Sequence, residues 1–188
     1  MNYTFPTIRH IDDVLPHIEC RKEFVVAERD YGTVINYVVA MQDTFDMYPA
    51  GYNGTLSTYD LGGAMRRECR GLIFDLDGNI MSRPFHKFFN VGEREETQSH
   101  AIDLSVGHTI MEKMDGSMIR PLLVDGYLRL GTKMGVTTVG MQAEEFLVTQ
   151  SYEKKEWLMN CVKDGVTPLF EWISPENQIV LDYDEPEL

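Results

Sequence analysis

Short apolar runs separated by polar stretches and glycine-containing turns dominate the pattern along the chain, and they predict more strands than helices. Two runs rich in Val, Ile and Tyr, at 23–27 and 33–40, predict the first two strands. Two Asp-Gly dipeptides with apolar runs on both sides, at 77–78 and 125–126, predict β-hairpins. The hairpin strands are predicted at 71–75 and 79–83 and at 117–124 and 127–132. Further strands are predicted at 108–114, 169–173 and 178–183.

Helical spacing of apolar residues is clearest in the second half of the chain. Ala143, Phe146 and Leu147 predict a helix over 138–150, and a second helix over 153–163 is expected to end at Gly165. The other predictions are a short helix at 12–18 with a break near Pro16, a loop at 47–63 and an exposed connection at 92–100. Together these elements predict an α+β fold of mainly antiparallel sheets with a few helices.

The composition is that of a globular protein. The 188 residues are 43% hydrophobic and 25% charged, so we expect a single domain over 1–188. No apolar run approaches the ~20 residues of a membrane span, and the first residues lack the basic and apolar regions of a signal peptide. Cys20, Cys69 and Cys161 have neither metal spacing nor the even number of a disulfide framework. These features predict a cytoplasmic protein that does not enter a membrane.

The charge is strongly acidic overall but locally basic. A net charge of −13 argues against a general nucleic-acid coat protein, which needs a basic face to neutralise phosphates. Five of the 17 Lys and Arg residues nevertheless lie within one stretch of 22 residues, namely Arg66, Arg67, Arg70, Arg83 and Lys87. A cleft lined with such residues can hold a triphosphate or the end of an RNA.

The strongest chemical signal is the sequence Lys-Met-Asp-Gly-Ser at 113–117. An amine that attacks phosphorus must be unprotonated, and a free lysine with a pKa of ~10.4 is almost always protonated at neutral pH. A cleft with neighbouring cations lowers the pKa of such an amine. Gly116 allows a ligand to approach the backbone, and Asp115 and Ser117 can fix the loop. Lys113 is therefore a candidate nucleophile, although the same motif also occurs as a plain surface turn.

Three further segments extend this motif. Glu-Cys-Arg-Gly-Leu-Ile-Phe-Asp at 68–75 and Ser-Arg-Pro-Phe-His-Lys-Phe-Phe-Asn at 82–90 precede it, and Phe-Glu-Trp-Ile-Ser-Pro-Glu-Asn-Gln-Ile-Val-Leu at 170–181 follows it. In this order and spacing the four segments resemble those of the ATP-dependent RNA ligases of the phage T4 RNA ligase 1 family, over about residues 60–183. The resemblance implies a nucleotidyltransferase domain, the ATP-grasp-like adenylation domain of such ligases.

The resemblance also implies roles for individual residues. Lys113 would attack the α-phosphate of ATP and form a lysine–AMP phosphoramide, with Mg²⁺ offsetting phosphate charge. Arg70, Lys87 and Lys133 match phosphate-binding positions, and Glu171 matches the glutamate that holds the ribose hydroxyls. The full set of predicted ATP-binding residues is Arg70, Lys87, Glu112, Gly116, Lys133 and Glu171. We predict no metal site made by protein side chains alone, because the five histidines are scattered.

The roles of several residues beside this set stay open. Arg66, Arg67 and Arg83 either face RNA or form ion pairs. Phe170 and Trp172 either line the pocket or pack in the core. At least one of these two is expected in the core.

The implied activity is RNA ligation, as in RNA repair, within the cytoplasm of the host cell if the gene belongs to a bacteriophage. AMP would pass from Lys113 to an RNA 5′-phosphate, and a 3′-hydroxyl would then attack that end. One alternative is a DNA ligase or an enzyme that caps RNA with GMP, and labelled ATP and GTP distinguish it. The other is a catalytically incomplete subunit that binds nucleotide or RNA, which ATP binding without a covalent product would favour.

The sequence after Leu181 lacks two segments that such ligases carry, an acidic segment that places a metal ion and a Lys-x-Lys segment that binds the α-phosphate. The sequence therefore predicts a domain that is incomplete at its C-terminus. The chain would then be a shortened form of the protein, a truncated gene product or one half of a split enzyme. Exposed strand edges would then favour self-association or a second chain that supplies the missing segments.

Overall fold

Two antiparallel sheets form the framework of the molecule. The computed structural model describes residues 5–41, 43–45, 58–150 and 152–188, with the backbone alone for 58–60. The strands are β1 (Phe24–Arg29), β2 (Gly32–Tyr37), β3 (Arg70–Phe74), β4 (Ile80–Ser82), β5 (Ser117–Val124), β6 (Tyr127–Gly131) and β7 (Phe170–Trp172). The α-helices are α1 (Leu15–Ile18), α2 (Thr58–Glu68), α3 (Thr138–Thr149) and α4 (Tyr152–Lys163). The predicted α+β class with antiparallel sheets is confirmed.

Short 3-10 helices lie between these elements, at Ile11–Asp13, Glu95–Thr97, Ser99–Ala101 and Pro175–Asn177. Glu95–Thr97 lies within 92–100, where an exposed connection is predicted, and Ser99–Ala101 overlaps its end. Among the described residues, no helix combines the length and the apolar character that a membrane span requires.

The first sheet contains β1 to β4 in chain order and carries α1 and α2 on one side. Leu72 and Phe74 of β3 point to this side and pack with Phe45 and Met65 in a buried core. Ile73 lies between them in sequence and therefore points to the opposite face of the sheet.

The second sheet has the order β6-β5-β7, and α3 and α4 cover one of its faces. Ile119 of β5 and Trp172 of β7 pack on this face with Leu147 of α3 and Leu158 of α4. The helical face of the second sheet is thus closed by apolar side chains.

A small apolar cluster joins the two sheets. Val34 of β2, Ile73 of β3 and Leu122 of β5 pack together and are almost completely buried. Because side chains alternate along a strand, Met118 and Arg120 lie on the same face of β5 as Leu122. This face of the second sheet is therefore turned toward the first sheet, and we call it the inner face.

The predicted hairpins and the later helices are confirmed. Asp125 and Gly126 have φ values of 51° and 80°, as a tight turn between β5 and β6 requires. Gly78, at φ 85°, occupies the equivalent turn between β3 and β4. Gly165, at φ 74°, follows α4, where glycine accepts the left-handed conformation that ends many helices.

The loop predicted at 47–63 is wrong where the structure describes it. Residues 47–57 lie outside the described residues, but 58–63 belong to α2. Gly62, Gly63 and Ala64 are buried in this helix. Small side chains allow α2 to pack closely, and this packing outweighs the low helix propensity of glycine.

The short helix predicted at 12–18 is interrupted at Val14 rather than at Pro16. A 3-10 turn spans Ile11–Asp13, and α1 begins at Leu15. Pro16 lies in the first turn of α1, where an amide N–H has no partner within the helix, so proline is compatible with the helix there.

The strands predicted at 108–114 and 178–183 are both absent. Ile110 and Met111 are 88% and 79% exposed, so no neighbouring strand covers them. In the second segment, the amides of Val180 and Leu181 donate to the Asp115 carboxylate. The hydrogen bonds that a strand would need are used to fix the loop around Lys113 instead.

Candidate active site

Lys113 lies in an exposed connection that leads into β5. Its side chain is exposed, and residues 102–116 form neither helix nor strand. Regular structure begins at Ser117, the first residue of β5. The candidate nucleophile is thus presented at the surface, and the residues that follow it determine how firmly it is held.

Asp115 fixes this loop to the segment after β7. Its Oδ2 accepts hydrogen bonds from the amides of Leu181 and Val180, at 2.7 and 2.6 Å. Its own N–H donates to Tyr183 Oη at 2.9 Å. The amides of Leu181 and Val180 hold the pKa of the Asp115 carboxyl below its ordinary value, with a smaller contribution from the charge of Lys113. Asp115 is therefore ionised, and able to accept both bonds, at neutral pH.

Gly116 brings the loop into direct contact with β7. A Cβ atom at this position would collide with the carbonyl oxygen of Trp172 and lie 2.8 Å from Ile173 Cγ2. The absence of a side chain permits this approach. The Gly116 N–H donates to Glu171 Oε1 at 3.2 Å, so a predicted ribose-binding side chain contacts the loop directly.

Ser117 completes the attachment. It pairs with Trp172 in the β5–β7 ladder, and its Oγ accepts a hydrogen bond from Asn177 Nδ2 at 3.1 Å. The same Nδ2 donates to Trp172 O at 3.0 Å, and Asn177 is buried. The segments 113–117 and 170–183, well separated in sequence, therefore form one hydrogen-bonded unit.

Glu171 lies on the inner face of the second sheet. It is directly opposite Met118 in the β5–β7 ladder, and residues paired in this way share a face. Phe170 and Trp172 point to the other face, where their rings contact aromatic residues of α4 and α3. Both aromatic side chains thus belong to the core, and the alternative that they line a pocket is wrong.

The turn that carries Lys133 packs against the start of β3, at the residue that follows Arg70. A Cβ atom on Gly71 would lie 2.6 Å from Lys133 O and 2.9 Å from Lys133 Cα, so the Lys133 backbone lies against β3. Lys133 stands in a tight turn closed by two backbone hydrogen bonds between Thr132 and Gly135, and its side chain is exposed. Arg70 is half-buried, and its Nη1 has no hydrogen-bond partner among the described residues.

Lys87 lies near Arg70 among aromatic rings. Its Nζ lies 4.4 Å from the centroid of the Phe89 ring, donates to Phe88 O at 2.8 Å and is 4.0 Å from Glu93 Oε1. Partial burial lowers the pKa of Lys87, and the charge of Arg70 lowers it further, while Glu93 opposes the change. Arg70 and Lys87 are therefore close enough for electrostatic repulsion between their charges. A bound anion would offset this repulsion.

The other arginines of the basic stretch have structural partners. Arg66 and Arg67 are buried, and Arg67 binds both carboxylate oxygens of Glu96, at 2.6 and 3.1 Å. Arg83 Nε donates to the buried Glu68 at 2.8 Å. These contacts favour the ion-pair and structural alternative over the RNA-facing one, most clearly for Arg66 and Arg67, which are buried, while the Arg83 side chain stays 28% exposed.

The described residues offer no complete metal cage. No group of three or more His, Cys, Asp or Glu side chains in this part of the chain is arranged to hold a metal ion. Glu112 is exposed next to Lys113. Mg²⁺ is commonly held by substrate phosphates, water and one or two carboxylates, so an ion that arrives with a triphosphate does not require a cage made by the protein alone.

Arg120 is a feature of the inner face that sequence analysis missed. It is completely buried, and none of its three guanidinium nitrogens has a hydrogen-bond partner among the described residues. Burial lowers its pKa to about 9, while Tyr31 acts in the opposite direction. The only signal in the sequence is an arginine inside the otherwise apolar run at 118–124. Arg120 places a positive charge between the two sheets.

Comparison with known proteins identifies the family. A family model of the T4 RNA ligase 1 type, described as RNA ligase, matches residues 68–188. The chain belongs to the T4 RNA ligase 1 family. The match covers all the predicted ATP-binding residues, from Arg70 to Glu171, and it confirms the resemblance inferred from the four segments.

Two curated relatives of this T4 RNA ligase 1 family chain have corresponding names. A protein from Thermovibrio ammonificans named "Putative RNA ligase" is 31% identical over 179 residues, which cover 95% of this chain and 43% of the relative. The protein named "RNA ligase 1" of Bacteriophage TS2126 is 32% identical over 140 residues, which cover 71% of this chain and 35% of the relative. The chain thus spans less than half the length of each of these relatives.

Proposed function

We propose that this chain carries the nucleotide-attaching step of an ATP-dependent RNA ligase. Nζ of Lys113, once deprotonated, forms a bond to the α-phosphorus of ATP, the bond from that phosphorus to the bridging oxygen breaks, and pyrophosphate leaves. The observation that carries the proposal is the anchored loop: Lys113 is exposed, while Asp115 and Gly116 are tied to the segment 171–183. A nucleophile on a fixed loop can be aimed at a bound phosphate.

Arg70, Lys87 and Lys133 would hold the phosphates of ATP. Arg70 has a guanidinium nitrogen without a partner, and the Lys133 backbone lies against the residue that follows Arg70. The charge of Arg70 lowers the pKa of Lys87, so bringing a polyanion between them would replace repulsion by attraction. The mutual position of these cations therefore supports a phosphate-binding role.

Glu171 would accept hydrogen bonds from the ribose hydroxyls. Its Oε1 already accepts the Gly116 N–H, and an ionised carboxylate can accept several further hydrogen bonds. A ribose bound there would lie beside the loop that carries Lys113. Glu112, next to Lys113 in sequence, completes the proposed nucleotide site, and Mg²⁺ bound with ATP would offset the charge of the leaving pyrophosphate.

The later steps belong to the same proposal. AMP would pass from Lys113 to the 5′-phosphate of an RNA, and a 3′-hydroxyl would then attack that phosphate, release AMP and seal the strand. The names of the two relatives support RNA as the polymer. Under this proposal the protein acts in the cytoplasm, where ATP and RNA ends are present.

Neutral substitutions of Arg70 and Lys87 should weaken ATP binding more than adenosine binding. Arg70→Gln and Lys87→Met keep most of the side-chain length but remove the charge. Losing a charge-assisted contact costs on the order of 1.5–3 kcal/mol, or roughly 10- to 150-fold in ATP affinity. Calorimetric titration of each variant with ATP and with adenosine measures the difference, and Lys22→Met, at an exposed lysine, is the matched control. Equal losses for ATP and adenosine would show that the two residues act through structure instead.

A labelling experiment tests the proposed function as a whole. The chain is incubated with Mg²⁺ and ATP or GTP labelled at the α-phosphate, denatured and separated on a gel, and a second sample is chased with 5′-phosphorylated RNA. We expect covalent label from ATP and its loss to the RNA during the chase. Preferential labelling by GTP would indicate a capping enzyme, and label that moves to 5′-phosphorylated DNA but not to RNA would indicate a DNA ligase.

A further inference from the structure

Two aromatic rings lie exposed next to the proposed phosphate-binding cations. Phe85 and Phe88 belong to the extended segment after β4 and are 56% and 55% exposed. Their rings are arranged edge to face, with centroids 6.3 Å apart. An apolar pair of this size at the surface calls for a binding partner more often than an isolated apolar residue does.

The segment that carries these rings is firmly attached on its other side. The N–H of Lys87 donates to Arg67 O at the end of α2, at 2.7 Å. Phe89 turns inward and packs against Phe45 of the buried core, with centroids 6.1 Å apart. Because the backbone is held on both sides of Phe88, its exposure is imposed by the fold.

Arg70 gives this surface its charge. Its Cζ lies 4.9 Å from the centroid of the Phe88 ring. No carboxylate of the described residues lies within ion-pair distance of Arg70, and its Nη1 has no hydrogen-bond partner. A protein segment that covered Phe88 would bury this unpaired charge at considerable cost, whereas a polyanion would neutralise it.

We propose that Phe85 and Phe88 form a stacking platform for the first bases of the single-stranded, 5′-phosphorylated RNA, with the terminal phosphate beside Arg70. Aromatic faces next to a backbone-binding cation are the usual means by which proteins hold single-stranded nucleic acid. This inference rests on the proposed function, because it takes its occupant from the RNA ligase reaction. It assigns a role to Phe85 and Phe88, which lie in the segment 82–90 but are not among the proposed ATP contacts.

The experiment combines protein variants with modified RNA. Binding of a fluorescent 5′-phosphorylated RNA oligomer is measured by anisotropy, and the same oligomer is prepared with abasic sugars at its first two positions. Phe85→Leu and Phe88→Leu remove the aromatic face but keep an apolar side chain. Tyr127→Leu is the control, because Tyr127 is another exposed aromatic ring and lies on the β5–β6 hairpin, outside the proposed platform.

On the intact oligomer, each phenylalanine variant should bind about 5- to 150-fold more weakly than the wild type. On the abasic oligomer, the variants and the wild type should bind equally, because no base remains to stack. The Tyr127 variant should match the wild type on both oligomers.

Two results would overturn the platform: unchanged binding of the intact oligomer, or equal losses on the intact and abasic oligomers. The phenylalanine variants can also be tested with 5′-phosphorylated DNA of the same sequence. If the substitutions reduce the affinity for this DNA more than the affinity for the RNA, RNA is not the preferred occupant. The measurement contains no ATP, so its failure is distinct from failure of the proposed function. If the wild-type protein binds RNA in a base-dependent way but gives no covalent label with ATP, only the proposed function is refuted.

Discussion

Replacement of Lys113 by alanine should leave no detectable covalent AMP on the protein, whereas the melting temperature should stay close to that of the wild type. The chemical effect is total because no other atom can replace Nζ as the attacking group in a lysine–AMP bond. The structural effect should be small because the Lys113 side chain is exposed in a segment without regular structure. The loop itself is held by Asp115 and Gly116, which the substitution leaves in place.

Two further variants make the result specific. Lys113→Arg keeps a positive charge but should also give no label, because a guanidinium remains protonated and is a poor nucleophile. Lys22→Ala, at another exposed lysine, should label as the wild type does. Covalent AMP on Lys113→Ala at the wild-type level would rule out Lys113 as the nucleophile.

Replacement of Gly116 by alanine should damage both the fold and the labelling reaction. The added Cβ would meet the Trp172 carbonyl oxygen and Ile173 Cγ2, so β5 and β7 would have to separate. Forcing an extra methyl group into a filled space typically costs about 1–3 kcal/mol of unfolding free energy, and backbone atoms yield less readily than side chains. The same displacement would move Glu171 away from the loop, so labelling should fall by more than the loss of folded protein explains.

Urea unfolding and ATP labelling of the same samples measure the two effects. Gly107→Ala is the matched control, because no atom lies within 4 Å of the added Cβ and the residue belongs to the same connection before Lys113. This control should leave the free energy of unfolding and the labelling unchanged. If Gly116→Ala behaves like Gly107→Ala, the loop is not held against β7 as described.

Local signals account for the parts of the fold that sequence analysis predicted correctly. The hairpin turns at 77–78 and 125–126 depend on residues that adopt positive φ, and the adjoining apolar runs lie only a few residues away. The helices α3 and α4 likewise contain their own apolar spacing and are followed by Gly165. In each case the residues that determine the structure are neighbours in sequence.

Long-range contacts account for the errors. The segment 178–183 has the apolar composition of a strand, but its amides bind Asp115, 65 and 66 residues away in sequence. Gly62 and Gly63 suggest a loop, yet burial against the rest of the first core stabilises a helix there. Neither contact leaves a sign in the local pattern.

Some residues of the candidate site could be predicted from the sequence, and others are recognised only in the folded structure. The roles predicted for Lys113 and Arg70 came from the resemblance to RNA ligases and stay predictions. The anchors that hold the lysine loop, Tyr183 and Asn177, became visible only when distant segments were brought together. Arg120 was missed because a single arginine in a strand suggests a solvent-facing position, whereas the packing of the two sheets encloses it.

Mapping the AMP-modified residue tests the central claim most directly. The wild-type chain is incubated with ATP and Mg²⁺, digested at neutral to alkaline pH to protect the phosphoramide bond, and analysed by mass spectrometry. Our account predicts AMP on Lys113, in the peptide that contains the 113–117 motif. AMP on another lysine such as Lys87 or Lys133, or ATP binding without any covalent product, would contradict it.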